Sequence, residues 1–281
     1  MTDRFLRTLF TLGFGLLFIA CGDDADAKPA PDCGGDADEV VMLSARVGGG
    51  MVAPGSEILS RSGMYTLLTG SCELHCGSAR GEVFETKLTP AEAEELWLDL
   101  EFDRIKERAG SYPGGVADAP SELFRAGEDE IVSDGGVSDA SPAWLRSLHE
   151  RASHHFASCP DRAEPVKTPV RYVLMEFAEG EEPDDASLTW AEWPLDVSAS
   201  SVATSEWGEG FELAEAMKIA SGEDAEALRA LRGRLLRGEL GPASMPQIPI
   251  AEGERRYYLY LADTSRLEDE DGLMPFAKIS D

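Results

Sequence analysis

The sequence predicts an α+β fold, and three observations carry the prediction. Short runs at residues 40–47, 64–69, 82–88 and 170–177 are rich in β-branched and aromatic residues, and glycine, proline or acidic turns bound them, which is how strands read. Two helix starts, Thr89-Pro90 and Ser141-Pro142, each follow a group of such runs. A hydrophobic fraction of 43% with 8% aromatic residues is enough for a packed core and argues against a disordered chain. The order strands, helix, short strands, helix puts helices on one face of a mostly antiparallel sheet. Pro160, Pro165 and Pro169 then divide the 281 residues into two units of similar size, 40–160 and 165–281.

Taken in order, residues 40–47 form a strand that Gly48-Gly49-Gly50 ends. Residues 57–61 and 64–69 read as a strand pair around Ser62-Gly63. Beyond Gly70, alternation sends Cys72, Leu74 and Cys76 to one face and Glu73 and His75 to the other. Thr89 is an N-cap, Pro90 takes the first helical position and Glu92 closes a capping box. Ala93, Leu96, Trp97 and Leu100 then form one apolar stripe. Residues 122–125 and 129–133 are short strands around Gly127. In the second helix Leu145, Leu148, Ala152 and Phe156 face inward and Cys159 closes the end. The second unit opens with the strand 170–177, followed by an acidic loop and a Trp-bearing stretch. Residues 211–219 fit a strand or a short helix. Ser221 caps a helix over 223–237, with Leu228, Leu231 and Leu235 inward, and residues 247–250 and 255–262 close as a hairpin around Glu252-Gly253.

The N-terminus reads differently. Arg4 and Arg7 precede residues 9–20, apolar apart from Thr11, Gly13 and Gly15, and Ala20 stands directly before Cys21. That is a secretory signal layout. A membrane span needs about 20 apolar residues, more than this run supplies before Asp23 and Asp24. Phe18-Ile19-Ala20-Cys21 resembles the lipobox of bacterial lipoproteins, with Phe18 where Leu is usual. The resemblance implies that residues 1–20 are removed and that Cys21 carries a diacylglyceryl thioether and an N-acyl chain, enough for stable anchoring. It implies a place in the cell envelope, and Gly22 after the cysteine points to the outer membrane. It implies an address and no activity. Residues 21–39, rich in Asp, Ala, Gly and Pro, read as a flexible acidic tether, its far end stapled to the body through Cys33.

Removing Asp3, Arg4 and Arg7 with the leader leaves 52 acidic against 23 basic residues, a net of −29. Such a surface repels nucleic acid and anionic headgroups, so membrane contact has to come through the lipid. Four cysteines follow Cys21: Cys33, Cys72, Cys76 and Cys159. In an exported chain they predict two disulfides. If the segment between Cys72 and Cys76 is extended, their Cα atoms lie about 13 Å apart, too far to bridge; each then pairs with Cys33 or Cys159.

Candidates for chemistry are sparse. His149 and His154 stand five apart, about 140° around a helix, so they cannot face one metal as an HExxH pair does. Cys72, His75, Cys76, His155 and Cys159 offer soft ligands at finger-like spacings, a structural-metal alternative to the disulfides. Neither G-x-S-x-G nor a supported S-x-x-K occurs. Asp269-Glu270-Asp271-Gly272 lacks the ligand spacing of a calcium loop. No cofactor motif is present. Trp190, Trp193, Tyr258 and Tyr260 are the candidates for a surface that binds a carbohydrate or an envelope protein, with Tyr257 and Leu259 on the opposite strand face. Arg229, Arg232, Arg234 and Arg237 form a basic helix edge, either an interdomain contact or a solvated face. The expected function is that of a lipid-anchored envelope protein with a structural or binding role. The rival is a hydrolytic lipoprotein whose site is assembled across the fold.

Overall fold

The computed structural model describes residues 28–47, 64–114, 119–161, 163–177, 187–204 and 213–267. The leader, Cys21, the strand expected at 57–61, the acidic loop 179–185 and the turn at Asp269 lie outside the described residues. Two mixed, mostly antiparallel sheets with helices make up the rest, an α+β fold.

The first sheet holds eight strands: β1 (Val40–Val47), β2 (Met64–Thr69), β3 (Glu73–Gly77), β4 (Val83–Lys87), β5 (Gly110–Pro113), β6 (Ser121–Ala126), β7 (Asp129–Asp134) and β8 (Glu164–Pro165). Their order is β5-β7-β6-β1-β2-β3-β4-β8, antiparallel throughout except for β5 beside β7. The two-residue side-chain period sorts each strand between two faces. Met42, Leu68, Leu74, Cys76, Phe84 and Phe124 point to a face covered by α1 (Pro90–Asp99) and, after the one-turn α2 (Ile105–Arg108), by α3 (Ala143–Ser158). The predicted stripes of both long helices are buried there, Ala93, Leu96 and Trp97 from one, Leu145, Leu148, Ala152 and Phe156 from the other. Leu43, Ala45, Tyr65, Leu67 and Leu123 form a separate cluster on the second face, with Leu267 packed against it.

The helix starts part company in detail. Thr89 accepts from the Glu92 amide while the Glu92 carboxylate accepts from Thr89, the predicted capping box. Ser141 does not cap α3: its hydroxyl accepts from the Ser138 amide at 3.0 Å, and the helix begins one residue later, with Pro142 as a cap that has no side-chain acceptor. A local turn outcompetes the cap for the same oxygen.

The second sheet runs β10-β12-β13-β9-β11, built from β9 (Val170–Glu176), β10 (Ala191–Glu192), β11 (Lys218–Ala220), β12 (Ile248–Glu252) and β13 (Arg255–Asp263). After a single turn at α4 (Ala199–Val202), residues 211–219 resolve into both of their readings, α5 (Leu213–Ala216) and then β11. Helix α6 (Gly222–Leu236) packs Ala225, Leu228, Leu231 and Leu235 onto Tyr257, Leu259 and Leu261; Val173, Met175, Tyr260 and Ala262 cluster on the other face. Ser221 stands at the N-cap position without a side-chain bond.

The chain from Lys28 onward is largely exposed but tied to the first unit at several points, where a flexible tether was expected as far as residue 39. The Lys28 amide donates to the Asp103 carbonyl at 2.8 Å and its carbonyl accepts from Trp97 Nε1 at 3.1 Å. Its ammonium reaches the Ala126 carbonyl and Asp129. Cys33 bonds Cys72, and Gly35 lies so close to Gly70 that a Cβ there would meet Gly70 Cα at 3.1 Å. These partners are distant in sequence, which is why composition alone does not reveal the docking.

One buried carboxylate joins the two units. Asp263, at the end of β13 and 1% exposed, accepts from Arg229 Nε at 2.8 Å, Arg232 Nη2 at 2.7 Å and the Val83 amide at 3.4 Å. Its own amide and Arg232 Nη1 both donate to the Gly81 carbonyl. Of the basic helix edge, Arg232 thus makes a contact between the units, Arg229 stays within the second unit on Asp263 and the Thr168 carbonyl, and Arg234 and Arg237 pair with Glu239 at the surface. Removing one partner of a buried pair strands the other. Asp263→Ala is therefore expected to cost about 3–5 kcal/mol in urea unfolding followed by circular dichroism.

Candidate functional site

The cysteines resolve first. Cys33 bonds Cys72 and Cys76 bonds Cys159, with Cα separations of 4.9 and 6.3 Å. Cys72 sits just before β3 with φ 61° and turns toward the N-terminal arm, whereas Cys76 points from the strand to the C-terminal end of α3. The structural-metal alternative thereby loses its thiolates. Its histidines also separate: His75 is on the sheet face opposite Cys76, and His155 is bonded to Asp99. Among the described residues no three His, Cys, Asp or Glu side chains converge on a metal position.

His75 is fully buried in β3. Its Nδ1 lies 3.1 Å from Glu85 Oε1, and its Nε2 lies 3.4 Å from Arg266 Nη2, which also pairs with Glu73 and, through Nη1, with Asp38. Loss of hydration lowers the His75 pKa to about 4 and raises that of Glu85.

A second polar cluster lies between the first sheet and α3. Arg46 and Glu122 stand opposite each other on β1 and β6 and pair at 2.7 Å, the carboxylate 3% exposed. The same Glu122 oxygen lies 2.5 Å from His149 Nδ1, and Arg46 Nη2 donates to Ser153 Oγ at 3.0 Å. Glu122 Oε2, Ser44 Oγ and Thr66 Oγ1 are buried there without a partner among the described residues. A carboxylate on one imidazole nitrogen orients the ring and fixes which nitrogen serves as a base. For a serine nucleophile the other nitrogen has to meet the hydroxyl; here Arg46 holds Ser153 instead. Sequence reasoning missed this cluster. Its signal was a pair of charges, Arg46 and Glu122, at inward positions of two strands.

His154 and His155 lie on the far side of α3 from His149, as their spacing requires. They line an open cleft of about 560 Å3 between α1 and α3, with Glu95 and Asp99 opposite and Leu88 and Leu96 beneath. His155 Nε2 is 2.6 Å from Asp99 Oδ2.

The aromatic candidates divide. Trp193 is buried against Tyr172 and donates to the Val197 carbonyl at 2.7 Å, and Tyr260 is buried among Val173 and Met175. Both are core. Trp190 and Tyr258 are half-buried and stacked, ring centres 6.3 Å apart at 14°, with Phe177 edge-on to both and Arg256 over Trp190 at 5.5 Å. Burial raises the phenol pKa of Tyr260 to about 12.

No known protein family, characterised protein or solved structure matches this chain.

Two expected outcomes follow from the cysteine and histidine geometry. Replacing Cys76 and Cys159 together by serine opens a bridge with a sequence separation of 83; a loss of about 4–5 kcal/mol is expected in chemical denaturation. Stability also has to fall in acid. An unfolded histidine gains its proton near pH 6.5, buried His75 only near 4, so between these values the unfolded chain binds the extra proton. Stability should decline as pH drops from 6.5 to 4 and level off below, by up to roughly 3 kcal/mol from this residue. Melting curves of the wild type against His75→Gln measure this: the gap between the two should change with pH below 6.5 and be constant above pH 7.

Proposed function

We propose that this chain is a lipid-anchored envelope protein with a binding or structural role, held to the bilayer through Cys21. One observation carries the reading. Of five cysteines in the sequence, four are joined in two bridges, so the cysteine at the lipobox-like site is left without a cysteine partner in its own chain. A thiol spared from pairing at the first position after a signal layout is what lipid attachment requires. Only six residues lie between Cys21 and Lys28, at most about 25 Å of extended chain, so the lipid would hold the first unit close to the membrane.

The binding role draws on the half-buried aromatic layer of Trp190, Tyr258 and Phe177 beside Arg256, whose rings combine apolar area with polar edges. The hydrolytic reading draws on Glu122 and His149, and Ser153 being engaged by Arg46 counts against it.

The test is fractionation of host cells with mass spectrometry of the purified protein. The wild type should sediment with membranes and carry the mass of a diacylglyceryl, N-acylated Cys21. Cys21→Ser should leave the membrane fraction for the soluble one with its fold intact. A bare thiol at Cys21 in the native protein would overturn the reading.

A further inference from the structure

The stretch that follows β13 is bound to the first sheet by a small set of charges. Ser265 stands close to the buried Tyr65 hydroxyl of β2. Arg266, 38% exposed at its side chain, pairs with Glu73 of β3 and with Asp38 of the N-terminal arm, and its Nη2 lies 3.4 Å from His75 Nε2. Leu267 then packs on the second-face cluster of Leu43, Ala45, Tyr65, Leu67 and Leu123. Surface pairs such as those of Arg266 hold weakly. The element beneath them is of another kind: a fully buried imidazole with a carboxylate 3.1 Å away.

We propose that residues 265–267 are an acid-released strap, in which uptake of one proton by the His75–Glu85 pair loosens Arg266 and lets Leu267 lift from the apolar second face of the first sheet.

The charges that face the pair are these. From β4 comes Glu85 itself, from β3 Glu73, from the arm Asp38 and from beyond β13 Arg266; Tyr65 of β2 and Asp263 stand nearby, both coupled to the same region. With His75 neutral and Glu85 ionised, the pair carries one negative charge toward the guanidinium. A single added proton cancels it, whichever of the two side chains holds the proton, since they titrate as a unit. If it rests on His75, an imidazolium also stands 3.4 Å from a like charge. Burial keeps this uptake in the acid range, near pH 4 for the imidazole, so the strap is closed at neutral pH.

Hydrogen exchange read by mass spectrometry on the full chain tests the strap. The comparison is between wild type and His75→Gln at the same pH, where the intrinsic exchange rates of residues 265–267 cancel. At pH 7 the two should exchange alike. At pH 4 the wild type should exchange at least tenfold faster over these residues while α1 and α3 remain protected. Arg266→Gln removes the responding cation from a surface position, and should exchange at the fast rate already at pH 7. Equal protection of wild type and His75→Gln at pH 4, loss of protection in all elements at once, or an Arg266→Gln strap as slow at pH 7 as the wild type would each overturn the proposal.

Discussion

Asp263 is the constraint on which the assembly of the two units depends. Its carboxylate is withdrawn from water, and a charge so placed has to be met by donors at fixed positions. Arg229 and Arg232 lie one turn apart on α6 and so reach the same carboxylate from one side, while the Val83 amide approaches from the first sheet. Three elements are fixed by one side chain: the end of β13, the face that α6 turns inward, and the edge of β4. Buried ion pairs add little net stability over apolar packing. What this one adds is orientation, because Arg229 and Arg232 both have to face Asp263 from α6.

The same division between apolar filling and polar positioning recurs in the first unit. Its helix face is packed with Leu, Phe and Trp side chains, and amid them Arg46, Glu122 and His149 form a connected polar island. Buried polar groups cost free energy wherever a lone pair has no donor. The unpartnered oxygens of Ser44, Thr66 and Glu122 lie on the same sheet face, Ser44 directly across from Thr66.

Periodicity made much of the fold legible. The stripe Ala93, Leu96, Trp97, Leu100 and the alternation of Tyr257 and Leu259 against Tyr258 and Tyr260 are local patterns, and the structure places both sets as those patterns require. Extended geometry kept Cys72 and Cys76 apart, and the two bridges agree with that. What stayed hidden depended on partners far along the chain. Lys28 sits in an acidic, glycine-rich stretch that reads as loose, yet its contacts are Trp97, Asp103, Ala126 and Asp129. Ser141 carries the right residue type for a cap, and a neighbouring turn takes its oxygen. Trp193 and Trp190 lie three residues apart in the same short stretch, and tertiary packing alone decides that one is core and the other half-exposed.

The two disulfides meet on either side of β3, and this has a mechanical meaning. A pull applied at the N-terminal end enters at Cys33, crosses to Cys72, runs along β3 to Cys76 and passes to Cys159, just ahead of the second unit. Tension between that end and residues 160 onward therefore travels through covalent bonds and one short strand. The three helices of the first unit and strands β1, β2 and β4 to β7 stand outside the loaded path. They could be stretched out only after a sulfur–sulfur bond had been broken.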